Sequence, residues 1–120
     1  MTDLPDDARL FLRLFFGDFR FGPGKAAMLE GIRDTGSISA AGRRMEMSYK
    51  RAWMLVEEMN AAFTTPLVES SRGGSGGGGA RLSDTGHQVL AHFRAIEAAA
   101  TKAATPDMQA LAALMRPRDR

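Results

Sequence analysis

Residues 37–60 read S-I-S-A-A-G-R-R-M-E-M-S-Y-K-R-A-W-M-L-V-E-E-M-N. The pattern predicts two short helices joined by a tight turn. Ser37 and Ser48 each stand where a side-chain oxygen can accept a hydrogen bond from an unpaired N–H of the first helical turn. In the first helix Ile38, Ala41 and Met45 recur three and four apart and form one narrow apolar stripe. The small residues Ala40, Ala41 and Gly42 permit close approach of a neighbour. In the second helix Ala52, Val56, Met59 and Phe63 share a face, so Lys50, Arg51 and Met54 point elsewhere, near its N-terminal end. A buried back with a cationic front at the start of the second helix is what a helix-turn-helix offers to phosphates and base edges in the major groove. Two capped amphipathic helices with four basic residues also occur in proteins that bind nothing, so the flanking sequence decides between the two.

Upstream, residues 25–34 place Met28, Leu29 and Ile32 on one side of a helix that starts after Gly22-Pro23-Gly24 and ends at Gly36. It supplies a third supporting helix. Before it, R-L-F-L-R-L-F-F over residues 9–16 alternates, with Leu10, Leu12 and Leu14 on one face and Arg9, Phe11, Arg13 and Phe15 on the other. A strand is predicted there, turning at Gly17-Asp18 and pairing with residues 19–21. The outward phenylalanines call for a cover, either another subunit or the C-terminal helices.

Downstream, Thr64, Thr65 and Pro66 end helical structure, and residues 67–70 and 80–83 read as paired strands. Between them residues 73–79 contain six glycines in seven positions. Taken alone, such a run is a floppy hairpin tip or linker. A nucleotide-cradling loop is disfavoured, because no G-K-[ST] follows and a strand, not a helix, comes next. Following a helix-turn-helix, it can also be a wing. Bare N–H groups at Gly73 and Gly74 then approach phosphates, and Arg72 and Arg81 add charge at its base. From Asp84, capped by Ser83, the residues Val89, Leu90, Phe93, Ile96 and Ala100 keep helical spacing to about Ala104. Thr105-Pro106-Asp107 predicts a break and a second helix carrying Met108, Leu111, Ala112 and Met115.

With 120 residues one domain is expected, and the formal charge of +2 carries no strong polyanion signal. The charge is unevenly spread: five basic against six acidic residues over 1–36, six against four over 37–83, five against four beyond. The excess falls where the proposed reader lies. The chain has no cysteine, which excludes a disulfide framework and thiolate metal sites and is compatible with a reducing compartment. No signal-peptide pattern or membrane-spanning run is visible, so a cytoplasmic protein without membrane partners is expected. His87 and His92 are five apart and do not share a helical face, and no nucleophile constellation accompanies them. Neither a catalytic site, a metal nor a cofactor is expected, and the eight methionines read as packing.

The string from Gly36 to Asn60, followed by L-V-E-S-S-R-G-G-S-G-G-G-G-A-R-L-S-D-T-G, resembles the N-terminal DNA-binding domain of the molybdate-responsive ModE regulators. The likeness covers residues 25–96. Its most specific parts are Ser48-Tyr49-Lys50-Arg51-Ala52-Trp53, Glu58-Met59-Asn60 and the glycine-rich segment ending at Leu82-Ser83. More loosely, the pattern is similar to the winged-helix half of LysR-type regulators. The resemblance implies a mainly α fold with a small antiparallel β component: a winged helix-turn-helix over 1–83, with lead-in and strand in 1–24, and C-terminal dimerisation helices over 84–120. It implies a homodimer on a palindromic double-stranded DNA operator, with Ser48, Tyr49, Lys50 and Arg51 nearest the DNA and Trp53 packed under the wing. Arg43 and Arg44 are candidates for phosphate contacts, although an ordinary solvated face explains them almost as well. The oxyanion-binding module of such regulators does not follow within these residues, so molybdate is not expected on this chain. The alternative from a different class is a dimeric winged-helix adaptor that binds protein through Phe11, Phe15 and the long helix.

Overall fold

Two small antiparallel hairpins bracket a trio of helices, and a long helix follows, in the computed structural model, which describes residues 4–71 and 79–117. In chain order the elements are β1 (Leu14–Phe16), β2 (Phe19–Phe21), α1 (Pro23–Thr35), α2 (Ile38–Arg44), α3 (Tyr49–Ala62), β3 (Val68–Ser71), β4 (Gly79–Leu82) and α4 (Asp84–Leu114). The caps form where the serines predict them. Ser37 Oγ accepts from Ala40 N at 3.0 Å, and Ser48 Oγ accepts from Arg51 N at 3.0 Å. At the end of α1, Gly36 takes the left-handed conformation (φ 73°) that glycine enters without a Cβ penalty, and its N–H donates to Ile32 O.

Small side chains set how closely the trio packs. A Cβ on Gly31 would lie 2.8 Å from the Ala41 Cβ, and one on Gly42 would lie 2.9 Å from the Ala52 Cβ. Those two crossings let α1, α2 and α3 enclose Met28, Leu29, Ile32, Val56 and Met59, all buried. Between α2 and α3 the chain reverses through Glu46 (φ 57°), while Met45 N and Met47 N both donate to Gly42 O. Gly42→Ala should therefore destabilise the domain by on the order of 1–3 kcal/mol, because α2 and α3 must separate. Denaturant unfolding checks it, and an unchanged midpoint would refute the close-crossing argument.

The N-terminal strand is shorter than the alternation predicts. Only Leu14–Phe16 pairs, since β2 offers just three partners, in the register Leu14↔Phe21 to Phe16↔Phe19. The two-faced pattern holds nonetheless: Leu10, Leu12 and Leu14 are half-buried, and Arg9, Phe11, Arg13 and Phe15 are exposed. Phe21 is buried edge-on against Phe93 of α4 (centroids 5.0 Å apart), and Phe19 meets Phe63 at 5.6 Å. Phe11, Phe15 and Phe16 remain 62–69% exposed, so the C-terminal helix does not cover them within one chain.

The second hairpin runs antiparallel from Val68↔Leu82 to Ser71↔Gly79. It is attached to the trio by a backbone bond from Ala80 N to Gly36 O at 2.9 Å.

One sequence expectation is corrected. No helix break occurs at Thr105: α4 is continuous from Asp84 to Leu114 with Pro106 inside it. Thr105 does not cap a new helix, because its hydroxyl donates back to Thr101 O at 2.7 Å. Pro106 has no N–H to give and its ring crowds the carbonyl one turn back, yet alanine-rich helix formers on both sides carry the helix across. At 31 residues α4 is about 46 Å long, at ~1.5 Å per residue. Its first part is held by Leu90 and Phe93 in the core and by Arg94, which donates to Glu30 at 2.6 and 3.0 Å and to Glu97 at 2.6 Å. The paired carboxylates, Glu30 first, hold the Arg94 guanidinium above its ordinary pKa. Beyond Phe93 no described residue of the helix is buried. The radius of gyration of 17.8 Å, against roughly 14 Å for a compact domain of this length, records the projecting helix.

Candidate nucleic-acid interface

Helix α3 turns Ala52, Val56 and Met59 into the core, and this fixes what its first turn presents. Tyr49 is 59% exposed, and Lys50 and Arg51 are exposed with no ion-pair partner among the described residues. No acidic residue occupies that first turn. With the partial positive charge of the helix N-terminus behind them, two free cations make an anion-attracting edge. Tyr49 is steadied edge-on against Trp53, with centroids 6.0 Å apart at 73°. Trp53 is half-buried, and its Nε1 is shielded from solvent without a hydrogen-bond partner among the described residues. The expected seat of Trp53 beneath the wing depends on residues outside those described. Met54, 52% exposed, stands on the outward side as the periodicity predicts.

The other candidates are more engaged. Arg43 Nη1 donates to Ser39 Oγ at 2.8 Å along its own helix. Arg44 reaches Asp34 at 3.5 Å, while Arg33 hydrogen-bonds the same carboxylate at 3.0 Å. The Arg33 hydrogen bond above all, with Arg44 adding to it, holds Asp34 below the usual carboxylate range. Arg81 lies across the strand pair from Glu69 at 3.4 Å, yet it is 80% exposed. A pair so solvated contributes little and releases the guanidinium readily. Arg72, Gly73 and Gly74 lie outside the described residues.

Two features escape the sequence reading. The first is Asn60, whose Oδ1 accepts from Leu67 N (2.8 Å) and Val68 N (3.1 Å) while Nδ2 donates to Val68 O (3.1 Å). One amide thus fixes the second hairpin to the end of α3. Its placement at the close of an apolar face was the available signal. Asn60→Ala strips partners from two half-buried N–H groups and should cost about 2–3 kcal/mol. A urea midpoint within error of the parent would show that the anchor is dispensable. The second feature is a cleft beside Arg51 into which Arg13, Arg20 and Lys25 also converge. These residues sit 26 to 38 positions upstream of Arg51 in a segment whose net charge is negative, so counting along the chain hides them.

Among the described residues no group of three His, Asp or Glu is placed to hold a metal ion, and no helix is long and apolar enough to cross a membrane. A capped trio of helices followed by an antiparallel hairpin and a long helix defines a winged helix-turn-helix protein. No family model matches the chain. It is 45% identical over 83 residues to the molybdenum-pterin-binding protein MopB of Rhodobacter capsulatus, covering 69% of this chain and 31% of that protein. It is 41% identical over 70 residues to the molybdenum transport protein ModE of Azotobacter vinelandii (58% and 26%). With the DNA-binding transcriptional dual regulator ModE of Escherichia coli K12 it shares 40% identity over 68 residues (57% and 26%). The chain is thus similar over its first two thirds to proteins named as ModE regulators and to proteins named as molybdenum-pterin-binding. It spans about a quarter to a third of the length of these relatives.

Proposed function

We propose that the chain is a sequence-specific double-stranded DNA-binding transcription regulator that acts as a homodimer on a palindromic operator. The observation that carries this reading is the first turn of α3. Ser48 caps it, its back is buried, and Tyr49, Lys50 and Arg51 stand exposed with no carboxylate among the described residues to neutralise either cation. Its likeness to a protein named as a DNA-binding transcriptional regulator supports the same conclusion. Residues 1–83 form the reader. Residues 84–120 provide dimerisation, because α4 projects with Ile96, Leu111, Leu114 and Met115 exposed. Such an apolar face is costly to leave in water. Arg43, Arg44 and Arg81 supply phosphate contacts once their weak surface interactions open, and Arg72, Gly73 and Gly74, outside the described residues, are assigned to the same role.

Selection of bound duplexes from a random pool tests the reading. It should return a two-fold sequence with half-sites about one helical turn apart, and log affinity should fall with log salt at about −0.9 per phosphate contact. A protein-binding adaptor gives neither result. Sedimentation should show a dimer at micromolar concentration, and a strict monomer rejects that part. Although relatives are named for molybdenum, no molybdate site is assigned to these residues. Operator affinity of this chain should not change when molybdate is added.

A further inference from the structure

The cleft beside the reading helix carries a specific consequence. Arg13 and Arg20 enter it from the N-terminal hairpin, Lys25 from the start of α1 and Arg51 from α3, around a volume of about 330 Å³. No carboxylate among the described residues lines it. Lys25 is held in place: Nζ donates to Arg20 O at 2.7 Å and pairs with Glu58 at 3.1 Å. The three guanidiniums have no acidic partner among the described residues. Arg20 lies over the Phe15 ring at 5.6 Å. The Arg13 stem lies over Gly22, where a Cβ would come within 3.2 Å of its Cγ. Stacking and close packing therefore restrict both side chains around an open space whose three guanidiniums have no described counter-charge.

We infer that this cleft binds a phosphate-type oxyanion, and that a DNA backbone phosphodiester flanking the bases read by α3 supplies it. Converging guanidiniums repel one another, and a shared phosphate relieves that repulsion through charge-assisted forked hydrogen bonds. The source follows from Arg51, which belongs both to the exposed first turn of α3 and to the cleft wall. A duplex seated on that turn brings its backbone to the cleft mouth, so the N-terminal hairpin becomes a second clamp outside the groove. This rests on the DNA-binding reading above and adds contacts that neither the helix-turn-helix nor the wing supplies.

The test uses the full chain and its selected operator. Arg13→Gln combined with Arg20→Gln should weaken operator and random duplex alike by about tenfold and reduce the salt slope by about 0.9. Sequence preference should be unchanged, and Arg20→Lys should keep the slope. A scan of operators bearing one neutral methylphosphonate linkage should find a position per half-site that weakens the parent but not the double variant. A double variant with parental affinity and slope, while the parent binds its operator, overturns the clamp and leaves the DNA reading standing. A parent with no duplex affinity overturns both. Inorganic phosphate is titrated at constant ionic strength without DNA. Phosphate binding lost in the double variant, with no methylphosphonate position coupled to it, assigns the cleft to a free anion and overturns the backbone source.

Discussion

Gly86→Ala should lower the midpoint of thermal unfolding by on the order of 10 °C, equivalent to roughly 3 kcal/mol in a domain of this size. A Cβ at this position would be driven into the Leu67 carbonyl oxygen, and it would stand 3.1 Å from the Leu67 carbon and 3.3 Å from the Leu82 Cβ. The obstacle is backbone, which cannot step aside as a side-chain tip can. Nor can helix α4 simply lift, because its first turn is bonded to the same place. Ser83 N donates to Leu67 O at 2.9 Å, Ser83 Oγ donates to Pro66 O at 2.6 Å, and Gly86 N donates to Ser83 Oγ at 3.0 Å. Moving the helix away breaks that set and loosens Leu90 and Phe93 from the core. Gly24→Ala provides the control, since a Cβ there meets nothing within 4 Å. It lies in the first turn of α1, where alanine should be neutral or stabilising by up to about 1 kcal/mol. Equal melting temperatures for the two variants would show that the seam between β3 and α4 is not where stability resides.

Replacing both Lys50 and Arg51 with alanine should reduce operator affinity by about a hundredfold or more, at about 1–3 kcal/mol for each residue. The melting temperature should stay within the scatter of exposed substitutions, because neither side chain has a described partner to lose. The single variants separate the two kinds of contact. A residue that touches bases relaxes preference at one operator position, whereas one that touches phosphate weakens all sequences and lowers the salt slope. Parental affinity in the double variant would remove α3 as the reading helix. Ser48→Ala should behave differently. It removes the hydrogen bond to Arg51 N and costs about 1 kcal/mol of stability, with a smaller loss of affinity.

Much of this architecture is visible in residue spacing because it is built from contacts close in sequence. The caps at Ser37 and Ser48 reach three residues ahead, and the buried faces follow the helical repeat through Ile38 and Ala41 and through Ala52, Val56 and Met59. The strand pairs were legible from alternation bounded by turn residues, although β1 proved shorter because a strand extends only as far as its partner. The continuity of α4 through Thr105-Pro106 is not legible in the sequence. A Thr-Pro-Asp triplet has the composition of a helix start, but the same threonine satisfies a carbonyl behind it, and nothing in a local pattern decides which occurs.

The sequence by itself determined the helix-turn-helix: two capped helices with a buried back, an outward cationic turn at Tyr49, Lys50 and Arg51, and a following hairpin. All of these depend on periodicity and on bonds spanning a few residues. Tertiary structure alone decided that Asn60 anchors the hairpin, that Arg94 joins α4 to α1 through Glu30, and that Arg13, Arg20 and Lys25 gather beside Arg51. The physical reason is common to all three. Charges and hydrogen-bonding groups act across space, and only the packing of α1, α2 and α3 through Gly31 and Gly42 brings these distant positions within reach.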